Sequence, residues 1–109
     1  MALNVSELLK EMLGAAKPVI EKFWKEAKPF AETEFKNLAQ NLVMIEKLKL
    51  KGVINKEKAM IHIDIQKNSF RTVLLTIEGL GVLAVEAALN AALGVIKKTV
   101  NTTIGWNIL

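Results

Sequence analysis

The chain has no cysteine and no tyrosine, and only one histidine, one arginine and two prolines in 109 residues. Without cysteine there are no disulfides, no thiolate zinc sites and no cysteine nucleophile, and the redox compartment is left open. Six aromatic residues, none of them tyrosine, are too few to build a surface on which bases stack. With Arg71 as the only arginine, bidentate reading of guanine or phosphate is not expected. The remaining basic residues are lysines, which attract polyanions without specificity and here read as a solvated helix face. No specific nucleic-acid partner is therefore expected. A hydrolase triad would need His62, which has no apparent partners. Gly79 and Gly81 are not followed by the Gly-Lys-Ser/Thr of a phosphate loop and read as mid-helix residues. The start, MALNVSELLKEML, lacks a basic region followed by an unbroken apolar run, so it does not read as a signal peptide. A cytoplasmic protein is expected, with membrane association as the alternative.

What is present favours helix. Alanine, leucine, lysine and glutamate are common, and 51% of residues are hydrophobic, enough for one helical domain. Charge is unevenly spread: residues 1–58 hold 19 of the 26 charged side chains, and between Thr72 and Ile96 only Glu78 and Glu86 are charged. Asn4 or Ser6 can cap a first helix, and Gly14 with Pro18 should end or bend it. Pro29 suits the first turn of another segment, or a kink. The fragments AKPVIE and AKPFAE, eleven residues apart, would place both prolines on one helix face. KLKLKG at 47–52 reads as a helix end, and Asn55 as the next cap. Ile61, Ile63 and Ile65 alternate with polar residues as a strand would, but no second strand is at hand, so the stretch is taken as helix. The expected segments are 6–16, 18–28, 29–51 and 55–98, with an apolar tail at 99–109. The last helix would be about 64 Å long at 1.5 Å per residue. That length calls for an equally long partner. The fold expected is all-α: a long antiparallel helical hairpin turning at 52–55, with a bent, proline-interrupted first half.

In such a hairpin, residue i faces roughly residue 106 − i. Phe70, Leu74, Ile77, Gly81, Ala84, Ala88, Ala91 and Val95 form a seam at alternating spacings of four and three. Its small members would lie opposite Phe23 and Trp24, so Ala84→Leu is expected to overpack the fold. A second stripe, Val82, Val85, Leu89, Leu93 and Ile96, lies roughly 100° round the helix. One partner helix cannot cover both stripes. Self-association into a four-helix-type bundle is therefore expected, with that stripe and Trp106 at the interface.

Two groups invite a chemical reading. Glu46 and His62 would sit near one level of the hairpin and are the candidate metal ligands. Glu78 and Glu86 are expected to pair with Lys22, Lys25 or Lys28 across the helices. A ferritin-like metal bundle is the nearest comparison, but its Glu-x-x-His motif is absent. Residues 79–96 raise a membrane alternative. Their eight Leu, Val and Ile residues favour insertion by about 2.4–4.8 kcal/mol, whereas a central Glu86 costs about 2.5–3.5 kcal/mol. The function expected is a structural or interaction module, not an enzyme, with no cofactor and with itself as partner. A small membrane-active or membrane-spanning oligomer and the metal-binding bundle are the alternatives.

Overall fold

The computed structural model describes residues 2–109. They form four α-helices and one 3₁₀ segment, and no strand is found among the described residues. Helix α1 (Val5–Ala16) begins where the Asn4 side chain accepts the Glu7 N–H at 3.0 Å. It runs through Gly14 and gives way at Pro18 to a 3₁₀ segment (Lys17–Phe23), kinked at Ile20 (φ −122°, ψ 36°). Helix α2 (Trp24–Leu50) follows without a loop. It does not restart at Pro29, contrary to the expected boundary. The donor missing from Pro29 would have reached the Lys25 carbonyl, on an exposed residue of the first turn. Gly52 (φ +71°) turns the chain, and the Asn55 side chain caps α3 (Lys56–Leu74) by accepting the Lys58 N–H at 2.8 Å. The alternating isoleucines at 61–65 are helical, as expected.

The expected helix over 55–98 is broken. Residues 75–81 form a turn, and α4 (Val82–Ile104) begins a separate helix. The ladder tightens first: the Thr76 and Ile77 amides donate to the carbonyls of Val73 and Leu74, three residues back. The Thr76 hydroxyl also donates to the Val73 carbonyl, at 2.6 Å. Gly79 then takes φ +88°, a conformation side chains disfavour, and Phe23 packs 3.1 Å from where its Cβ would lie. Leu80 is buried beneath the turn, and extended Gly81 opens α4. At its far end α4 reaches Ile104, so the tail is shorter than expected.

The helices alternate in direction. Leu3 lies beside Glu46, so α1 runs antiparallel to α2. Phe35 of α2 stacks on Phe70 of α3, with centroids 4.8 Å apart and planes 13° apart. Lys49 meets Ile104, so α4 ends where α2 ends. The main packing partners are α1 with α4 and α2 with α3, while α1 also lies on α2 and α4 on α3. The whole measures 44 × 22 × 19 Å, with a radius of gyration of 13.7 Å.

Two helix pairs, α1 with α4 and α2 with α3, pack on each other. Phe35 on Phe70, Glu34 on Ser69 and Phe23 on Gly79 stand within about one helical turn of the 106 − i correspondence. The breaks, Lys17–Phe23 in one arm and 75–81 in the other, adjoin where Phe23 meets Gly79. Once folded, the chain supplies four helices by itself. The second stripe of α4 therefore needs no other molecule to cover it: Val85, Leu89, Leu93 and Ile96 are all buried in the chain's own core. The expectation that they form an oligomer interface is corrected accordingly. Only Val82 of that stripe remains exposed, at the first turn of α4.

Candidate functional site

The polar side chains that leave the surface do so to tie helices together. Glu46 is buried, and its Oε1 accepts the Leu3 amide N–H at 3.0 Å, fixing the entry to α1 against the end of α2. That carboxylate has a structural partner, and His62 is half-buried on α3. Among the described residues, no three His, Cys, Asp or Glu side chains gather into a set that could hold a metal. Glu34, which sequence reasoning did not single out, is the other buried carboxylate, and the Ser69 hydroxyl donates to it at 2.5 Å. Its signal lay in the spacing of Ala27, Ala31, Glu34 and Leu38, which puts it on the seam of α2.

Glu86 pairs with Arg71 rather than with Lys22, Lys25 or Lys28. Arg71 Nε donates to Oε1 at 2.5 Å and Nη2 to Oε2 at 3.3 Å, with both side chains about one-third exposed. The pair bridges α3 and α4 just inside the turn at 75–81. The expected lysine partners assumed a straight helix. Once the chain reverses, the first turns of α4 lie beside the last turns of α3, where Arg71 is. Glu78 is exposed within the turn itself.

The apolar tail docks on its own chain. Lys49 donates to the Ile104 carbonyl at the end of α4 and sits 4.6 Å from the centre of a Trp106 ring, a cation–π contact. The Asn101 side chain accepts the Ile108 and Leu109 amides at 3.0 and 3.1 Å, and Ile108 is buried. Trp106 is half-buried in this position. Of the residues expected to pack within the hairpin, Phe70, Leu74 and Ala88 are buried, and Phe23, Trp24, Ile77 and Ala84 are partly so. Gly81 is exposed, because it caps α4 rather than lying within a helix.

Two hollows carry little chemistry. Pro18 to Phe23 and Ala84 line an open groove of about 350 Å³ beside the 3₁₀ segment. Asn37, Gln40, Asn41, Met44 and Gln66 line a hollow of about 230 Å³ between α2 and α3. Gln66 Oε1 is buried beside it and accepts no hydrogen bond from the described residues. Such amides can bind a small neutral group, but they provide neither a nucleophile nor a general base.

The outward face of α3 is the unusual surface. The buried residues of this helix are Ala59, Ile63, Phe70 and Leu74. Residues 61, 65, 68, 72 and 75 lie about half a turn round from them at 100° per residue. They are Ile61, Ile65, Asn68, Thr72 and Leu75, and all are exposed, Ile61 and Ile65 each to 58%. The equivalent face of α2 carries Lys36, Gln40, Lys47 and Lys51, as a solvated face should. The two helices pack on each other, and on the back of α3 the exposed Ile61, Ile65 and Leu75 are interleaved with Asn68 and Thr72.

No protein family, curated protein or solved structure matches this chain. Among the described residues no helix is long and apolar enough to cross a membrane. Residues 79–96, considered as a span from sequence, are divided between the turn and the first part of α4.

Proposed function

We propose that the protein is a small helical interaction module that associates with a second copy of itself through the outward face of α3, and that it has no catalytic part. The observation that carries this reading is the exposure of Ile61, Ile65 and Leu75 on one face opposite the core, with Asn68 and Thr72 between them. Its spacing of four, three, four and three is that of a helix–helix seam. The stripe is also self-complementary. In an antiparallel pair centred on Asn68, Ile61 meets Leu75 of the partner, Ile65 meets Thr72, and the two asparagines meet at the dyad. A symmetric dimer requires such a match, because each residue must suit both its own position and its partner's. An asparagine at the middle of a seam fixes register at a cost in affinity. One pair of helix faces buries less than a standard interface, so the dimer is weak and reversible.

Sedimentation equilibrium of the wild type and of Ile65→Lys tests this. The wild type is expected to approach dimer mass as concentration rises, while Ile65→Lys stays monomeric with an unchanged melting temperature. Equal association by both proteins would remove α3 as the interface.

A further inference from the structure

We infer that the chain exchanges halves with a second copy, the α1–α4 pair of one molecule packing on the α2–α3 pair of the other, with both breaks opened. This assembly differs from the surface dimer proposed above and uses the same contacts that close the monomer.

Four observations lead to it. The helix pairing keeps nearly one register across the breaks: Phe35 stacks on Phe70 in the α2–α3 pair, and Leu3 and Glu7 of the first arm line one hollow with Thr103 and Thr99 of α4. The breaks face each other: Phe23, at the end of one, covers Gly79 in the other. They therefore form a single hinge, and opening it separates the α1–α4 pair from the α2–α3 pair without disturbing either. The polar ties that hold the two halves together all cross this division. They are Glu46 to the Leu3 amide, Lys49 to the Ile104 carbonyl and Arg71 to Glu86. Each can re-form between two open chains with the same partners and geometry.

The fourth observation concerns what closure leaves uncovered. Val19, Leu75, Val82 and Leu83 lie in or beside the two breaks, and all four are exposed, Leu83 to 86%. Val82 stands three residues before Val85 and continues the buried stripe of α4. In the closed chain that stripe ends in solvent at the hinge. In an exchanged pair the hinges of both chains lie together at the dyad, so the stripe runs on into its symmetry mate. Residues 75–81 contain no proline, and two glycines disfavour a helix there without excluding it, so α3 and α4 can open toward one line, whereas Pro18 keeps a kink in the other arm.

Charge reversal across the hinge gives the test. Glu86→Arg and Arg71→Glu each place like charges together in a closed monomer, and also in an exchanged dimer of identical chains. In an exchanged pair made of one chain of each kind, both sites become opposite-charge pairs. The two proteins, each also carrying Ile61→Lys and Ile65→Lys to silence the α3 face, are unfolded, mixed and refolded together. Light scattering after size exclusion reads the mass. The mixture is expected to contain a one-to-one dimer that persists on dilution, while each protein refolded alone is mostly monomer. A mixture that remains monomeric, or dimers that form equally from either protein alone, would overturn the inference. Gly79→Ala with Gly81→Ala, in the same α3 background, provides a second reading that leaves the ion pair intact. It should raise helical content and shift the population to a stable species of doubled mass. A monomer with unchanged helical content would count against exchange. Loss of association on Ile65→Lys alone affects only the α3 surface, so the two assemblies fail separately.

Discussion

Leu89→Ala asks whether the second stripe of α4 serves the chain itself or another molecule. The side chain is 1% exposed within a single chain. Removing its branched end withdraws buried carbon and leaves a cavity that fixed helices fill only in part. For a site this enclosed the cost is about 3 kcal/mol, within the range of 2–5 kcal/mol for such truncations. Domains near this length lose roughly 4–8 °C of melting temperature per kcal/mol, so the expected fall is about 12–24 °C. Thermal unfolding followed by circular dichroism at low and high protein concentration measures it. The drop should be the same at both concentrations, because Leu89 is already buried within the closed single chain. A loss under about 1 kcal/mol, or one seen only at high concentration, would mean that Leu89 is not part of a self-sufficient core.

Ala88 is fully buried, so Ala88→Leu should cost about 1–3 kcal/mol by overpacking. Ala84→Leu faces the open groove beside Pro18 to Phe23 and should cost under about 1 kcal/mol, with urea titration of both variants as the measurement. Glu46→Ala leaves the buried Leu3 amide without an acceptor and should cost about 1–3 kcal/mol, whereas Glu46→Gln retains an acceptor and should recover most of it. Denaturant midpoints compare the two. Asn101→Ala removes the acceptor of the Ile108 and Leu109 amides, and faster hydrogen exchange of those two amides is expected while exchange in α2 and α3 is unchanged.

Local signals were legible where one residue decides the backbone. Of the two candidate caps Asn4 and Ser6 it is Asn4 that caps α1, Asn55 caps α3 as expected, and Gly52 turns the chain where the lysine-rich end of α2 predicts it. The isoleucine alternation at 61–65 is helical because no strand is available to pair with it. The break at 75–81 was harder to see. Gly79 and Gly81 are tolerable inside a helix at about 1 kcal/mol each, so local preference alone does not select the turn. The decision comes from cover. An α4 apolar on two sides gains more by folding back onto its own chain than by continuing straight, and Phe23 closes over Gly79 once it does. The need for a further partner was visible in Val85, Leu89, Leu93 and Ile96, but nothing in their spacing says that the partner is the same molecule. Trp106 was displaced for a similar reason, since its contact with Lys49 depends on where α2 and α4 both end.

The outward face of α3 was implicit in the expected seam, because with Phe70 facing the other arm 100° per residue turns positions 61 and 65 away from it. Phe70 does stack on Phe35, and Ile61, Ile65 and Leu75 face water. Resonance positions of the backbone amides, followed by NMR as the protein is concentrated, test the central claim most directly. Shifts confined to Ile61, Ile65, Asn68, Thr72, Leu75 and their immediate neighbours are predicted. Spectra that do not change with concentration, or changes centred on the exposed face of α2, would contradict it.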